Sequence, residues 1–292
     1  MKECLFTEFK TLFRSKYIYI GLLVLIIFAT FFNYSSYNNA IESINYNADI
    51  YEELLTCEDS FDASSLTQLA TEYYETFHPN MTVNNVLSVL IGLGIIILPI
   101  LSSIYIGTDY GKSNMIRSKI CHYSLVKVLV SKLVCIVIAI IIAILVYLVV
   151  SFAMAYSIWP NFETALNRLP IEFPVVAFNI GNAAKTFVLT FAIFIFYSLA
   201  TATVSVLFKN SISGIILTIA VNYVFLPFEF APHNVIYALI NECFIFTSAS
   251  PAVFTSNFAQ PTLSTMNHII IFTVYFIVLI CAYLLIGKKQ RN

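Results

Sequence analysis

Charge is what this chain of 292 residues lacks most. Only 11% of it is Asp, Glu, Lys or Arg, against roughly 25% in an ordinary soluble domain. That deficit excludes a water-soluble globule, whose surface needs far more charge to cover it. Histidine is scarce and scattered: His78, His122, His233 and His268 show no ligand spacing, and H-E-x-x-H is absent, so no metal site is expected. The six cysteines, Cys4, Cys57, Cys121, Cys135, Cys243 and Cys281, contain no CxxC. Only Cys57 and Cys243 fall where an oxidising exterior can reach them, and a bridge between them is one arrangement among several. The net charge of −1 points to no nucleic-acid partner.

What the chain has instead is long uncharged runs. Residues 17–41, 76–108, 133–162, 186–208, 210–228 and 243–287 contain no charged side chain. Each supplies about the 20 apolar residues that a membrane-spanning helix needs. The fold class this implies is all-α: a polytopic membrane protein with six transmembrane helices. The spans are expected at Tyr17–Phe32, Val86–Ile106, from near Val128 to near Tyr156, Ala184–Phe208, Ile212–Phe230 and Ile269–Ile286. Pro99 is expected to kink span 2. The middle of the last run, FTSASPAVFTSNFAQPTLSTMNH, has two prolines and many polar residues and makes a poor spanning helix. Span 1 is read as a retained helix rather than a signal peptide, because its apolar core is too long and no A-x-A pattern follows it.

The charges that exist are sorted by position. With the N-terminus in the cytoplasm, six spans place 13 of the 15 basic residues on the cytoplasmic side, leaving only Arg168 and Lys185 outside. Acidic residues do the reverse: only Glu3, Glu8 and Asp109 are inside. A seven-span arrangement would export the KKQR tail. Both termini are therefore expected in the cytoplasm of a multi-pass cell-membrane protein.

Four segments outside the spans carry expectations of their own. Residues 1–16 are read as an interfacial helix with Leu5, Phe6, Phe9, Leu12 and Phe13 within about 120° of arc, resting on membrane lipids. Residues 33–85 form an acidic loop with nine carboxylates and no Lys or Arg, with helical periodicity in ADIYEELLTCE and SLTQLATEYYETF. An acid-rich loop that obeys topology is the plain reading; a surface that handles a cationic or amphipathic substrate is the other. Residues 231–266 are apolar but broken, and are read as re-entering the membrane from the outer side. The fourth segment is residues 107–127, which holds GTDYGKS.

GTDYGKS, Gly107 to Ser113, looks like a phosphate-binding loop, but it has three residues between its glycines where G-x-x-x-x-G-K-[ST] has four. It follows a membrane span rather than a buried strand, and the cytoplasmic segments are too short for an ATPase domain. No cofactor is expected, and the chain is not expected to be an enzyme. The stretch from Ile106 to Val134 nonetheless carries five basic residues, and Met115, Ile116, Lys119 and Ile120 share a face of a short helix capped by Ser113 or Asn114. An acidic residue after span 2, a short amphipathic piece, then a basic approach to a long third span resembles the permease subunit of ATP-binding-cassette (ABC) exporters of the type-2 family. Asp109, Ile116–Arg117–Ser118–Lys119–Ile120, Ser124 and Lys132 match that pattern in order; Leu125 replaces a usual Arg, and Ser113–Asn114 a usual Gly-Thr.

The resemblance implies that residues 1–16 are an elbow helix and that the 107–127 loop carries a coupling helix docked on a separate ABC ATPase subunit. Asp109, Met115, Ile116, Arg117, Lys119 and Ile120 would make the contact. It implies a second permease subunit, the same or different, and a substrate pathway along spans 2 and 5 with Ser213, Thr218, Asn222 and Tyr223 facing it. Thr190, Ser198, Thr201, Thr203 and Ser205 in span 4 are read as close-packing residues. The alternative is a stand-alone secondary transporter or an intramembrane enzyme, which should carry charged residues deep in its spans. The span cores as read here contain none.

Overall fold

A computed structural model describes residues 2–56, 64–111, 125–169, 171–216, 231–245 and 264–289. The described chain is all-helical, and five of its helices are long and apolar enough to cross a bilayer. It is a multi-pass membrane protein. The helices are α1 (Lys2–Arg14), α2 (Lys16–Thr56), α3 (Ser64–Phe77), α4 (Thr82–Gly111), α5 (Leu125–Leu166), α6 (Ile180–Phe208), α7 (Pro232–Cys243) and α8 (Thr265–Lys289). A 3-10 turn, Pro79–Met81, precedes α4, and residues 211–216 are helical.

Two of these helices are longer than a membrane needs. At 1.5 Å per residue, α2 and α5 are about 60 Å long, twice the roughly 30 Å hydrocarbon core. Apolar composition suggests ends at Phe32 and near Tyr156; the helices run on to Thr56 and Leu166. Nothing stops α2 after Phe32, because it contains no proline and its one glycine is Gly21. Its polar half keeps an apolar stripe, Tyr37, Ala40, Ile44 and Ala48, at spacings of three and four. That stripe packs with Phe77 of α3 and with Ala155, Ile158 and Phe162 of α5 into a second hydrophobic core. Rings of Tyr73, Tyr74, Phe77, His78, Trp159, Phe162 and Phe173 contact one another around it.

The main core lies between the spans. There α4 and α6 run side by side in the same direction, Gly94 against Phe194 and Ser103 against Ser205. Thr190, Ser198, Thr201 and Ser205 are fully buried, as close packing requires. α4 stays helical through Pro99. α6 is capped at its start by Asn179, which accepts from Asn182 N–H at 3.0 Å. It ends at Lys209, whose φ of 54° is left-handed and whose N–H bonds back to Ser205 and Val206. By contrast α8 is largely uncovered, with Ile270, Val274, Ile277 and Leu285 facing outward.

The two ends of the bundle differ in charge. Lys2, Lys10, Arg14, Lys127, Lys132 and Lys209 mark a basic end; Glu42, Asp49, Glu52, Glu72, Glu75, Glu163 and Glu172 mark an acidic end. Most of the fifth expected span and the loop around 113–122 lie outside the described residues, as do 246–263.

Candidate functional site

The site begins with α1. Its expected apolar face, Leu5, Phe6, Phe9, Leu12 and Phe13, is split: Leu12 is buried, Leu5 and Phe9 pack partly against the core, and Phe6 is 72% exposed. The residues at i, i+4 and i+8 that face the protein are Cys4, Glu8 and Leu12. An acidic side chain therefore points into the bundle at the basic end. Glu8 is 1% exposed, and its partner Lys132, on α5, is 2% exposed.

The two charges meet at 3.4 Å, Glu8 Oε2 to Lys132 Nζ. Tyr105 of α4 joins them. Its hydroxyl donates to the Glu8 carbonyl at 3.1 Å and lies 3.3 Å from Glu8 Oε2. Lys132 Nζ donates to the Tyr105 carbonyl at 3.1 Å and sits 4.2 Å from the centroid of its ring. The ammonium thus has a carboxylate, a carbonyl near the C-terminal end of α4, and a π face around it. Two buried free thiols, Cys4 and Cys135, complete the surroundings. Isolated buried charges cost several kcal/mol each; here both are paired and hydrogen-bonded, the arrangement in which such a pair persists.

The position of this joint matters more than its strength. Tyr105 lies just before the end of α4 at Gly111, and Lys132 lies about 10 Å into α5. The joint binds α1 to the two stems of segment 112–124. Beside it, Ser103 and Ser205 share a hydrogen bond of 2.8 Å, and Ser103 donates on to the Ser211 carbonyl. Here Gly107 is required: a Cβ on it would stand 2.7 Å from Ser211 Cα. The start of the 211–216 helix is thereby seated on α4 and α6.

The residues singled out from sequence fall unevenly. Asp109 is in the last turns of α4. Ser213 is half-buried on the 211–216 helix. Met115, Ile116, Arg117, Lys119, Ile120, Thr218, Asn222 and Tyr223 lie outside the described residues, and so does Cys57. From sequence alone Glu8 and Tyr105 take no role; the available signals are a carboxylate on an amphipathic helix and Lys132, the last basic residue before the uncharged run 133–162. Among the described residues no group of three or more His, Cys, Asp or Glu is placed to hold a metal ion.

At the acidic end Asn84 and Asn85 at the start of α4, and Asn80 in the 3-10 turn before it, hold neighbouring segments by their backbones. Asn84 donates to the Ile245 carbonyl at 2.8 Å and accepts from Ile245 N–H at 3.0 Å. Asn80 donates to the Val176 carbonyl at 2.7 Å, and Asn85 to the Thr76 carbonyl. On the same side Arg168 reaches Asp49 at 2.5 Å and Glu52 at 3.1 Å, and these carboxylates hold its guanidinium above the usual arginine range. His78 accepts from Asn80 N–H at 3.1 Å, and burial lowers its pKa.

No family model, no curated protein and no solved structure matches the chain.

Proposed function

We propose that the chain is the transmembrane permease subunit of a type-2 ABC exporter, moving a peptide, lipid or drug by alternating access driven by a separate ATPase subunit. In this reading it has six spans, with the basic end and both termini in the cytoplasm of the cell, and pairs with a second permease subunit. α1 is the elbow helix, segment 113–122 carries the coupling helix, and α7 begins the re-entrant region. The observation that carries the reading is the Glu8–Tyr105–Lys132 joint. It ties α1, α4 and α5 together at the stems of segment 112–124, so a push on that segment is delivered to three helices at once.

The second reading is a stand-alone secondary transporter, and the buried Glu8–Lys132 pair is what favours it. Against it stands the position of the pair at one end of the bundle, with both charges saturated by partners. The experiment is Ile116→Asp combined with Ile120→Asp. Truncating an apolar anchor at a well-packed interface costs about 2 kcal/mol or more, roughly thirty-fold in affinity. The double variant is expected to reach the membrane at wild-type level and to lose co-purification with its ATPase. Co-purification at wild-type yield would remove the coupling role from this segment.

A further inference from the structure

A cavity of about 240 Å³ opens at the acidic end, far from the joint. Met81 and Val176 line it, with the exposed Pro174, Val175 and Ile245 at its open rim; Thr76 and Asn85 add polar atoms, and the exposed Glu75 also lines it. For scale, an engineered apolar cavity of about 150 Å³ admits benzene. The walls are held in place. The wall residue Val176 is tied by its carbonyl to Asn80, Ile245 by both its N–H and its carbonyl to Asn84, and Thr76 by its carbonyl to Asn85. Asn84 and Asn85 are themselves buried. A pocket whose walls are set before a ligand arrives spends little binding energy on ordering them.

The charge around it selects the ligand. Glu72 and Glu172 lie near Glu75 in sequence or on the adjoining extended segment. Of the described cations at this end, Arg168 is engaged by Asp49 and Glu52, and neither it nor Lys185 lines the cavity. Apolar walls with one carboxylate in a negative field suit an apolar body bearing one positive charge. We propose that this cavity binds a small amphipathic cation, a protonated amine whose apolar body fills the space between Met81, Val176 and Ile245 and whose ammonium faces Glu75. This holds whether or not the exporter reading does.

The chain supplies its own reporter. Trp159 is its one tryptophan, and its ring lies 4.9 Å from His78 and 5.9 Å from Tyr74, the residue before Glu75. The test is titration of the purified full-length protein in detergent with 4-phenylbutylamine and with the neutral 4-phenylbutanol. Trp159 fluorescence is followed, and bound ligand is counted by equilibrium dialysis. The amine is expected to saturate and to bind about three-fold tighter than the alcohol, the scale of a solvent-exposed ion pair. Glu75→Gln, an isosteric change at an exposed position, is expected to bring the amine to the level of the alcohol and leave the alcohol unchanged. Val176→Phe, which fills the space, is expected to abolish saturable binding of both. Equal binding of amine and alcohol to the unaltered protein overturns the proposal. So does saturable binding that survives Val176→Phe, or the absence of saturable binding by dialysis. Should Val176→Phe fail to fold, the Glu75→Gln comparison decides alone.

Discussion

Glu8 meets Lys132 at the basic end with side chains only 2% and 3% exposed; Arg168 meets Asp49 and Glu52 at the acidic end with side chains 34%, 65% and 58% exposed. Both clusters tie an early helix to α5 or to the turn just after it, and both are short contacts. Their physical worth differs because their surroundings differ. Water competes for every hydrogen bond of Arg168 and screens its charges, so the outer cluster can come apart and re-form at little cost. The inner pair has no such exchange. Removing one partner strands the other in a medium that cannot solvate it, while removing both leaves only a packing change. The buried pair therefore holds α1 in one place; the exposed pair decorates a module already held by its own hydrophobic core of Tyr37, Phe77 and Phe162.

The largest expected effect follows directly. Lys132→Leu leaves Glu8 buried without its countercharge and should destabilise the protein by about 3–5 kcal/mol, read as a lower midpoint in detergent unfolding. An unchanged midpoint would mean that α1 swings out and takes Glu8 to water. Next comes Asn84→Leu. It removes the donor and the acceptor that hold Ile245 and should cost about 1–3 kcal/mol, with faster hydrogen exchange at Ile245 N–H as its local signature. Exchange that does not change would show that the Ile245 segment is held by other contacts. The smallest effect is set by His78. Burial depresses its pKa, so the unfolded chain binds a proton more readily than the folded one. Its contribution to stability is full above its ordinary pKa of about 6.5 and is lost as pH falls from there toward the depressed value. Wild-type unfolding midpoints should fall over that window more than those of His78→Gln; parallel curves would place the acid sensitivity elsewhere.

Hydropathy made five spans legible among the described residues, and the physical reason is simple: burying charge in lipid is costly, so uncharged runs mark helices able to cross it. The same reasoning misplaces helix ends. Apolar composition stops at Phe32 because the membrane stops there, while the helix continues because Tyr37, Ala40, Ile44 and Ala48 find a second core. Lys132 is visible as the last charge before the uncharged run 133–162, but its partner lies 124 residues away on another helix, and no local pattern links Glu8 to it. Glu8 read as one more charge at the terminus because the aromatic residues of α1 drew the apolar face toward Phe6 and Phe13. In the fold Cys4, Glu8 and Leu12 face inward instead. Asn80 and the asparagines of MTVNNV were likewise plain in the sequence, yet what Asn80 and Asn84 hold, Val176 and Ile245, is far along the chain.

The central claim is that Glu8 and Lys132 act as one buried joint that fixes α1 to the stems of segment 112–124. The most direct measurement is a double-mutant cycle of Glu8→Leu, Lys132→Leu and the pair together, read by equilibrium unfolding of the purified protein in detergent and set beside the same cycle on Asp49 and Arg168. The account predicts that each inner single variant is strongly destabilised and that the inner double returns close to wild type, a coupling of about 2 kcal/mol or more, while the outer substitutions simply add. Inner effects that add to within about 0.5 kcal/mol would contradict it.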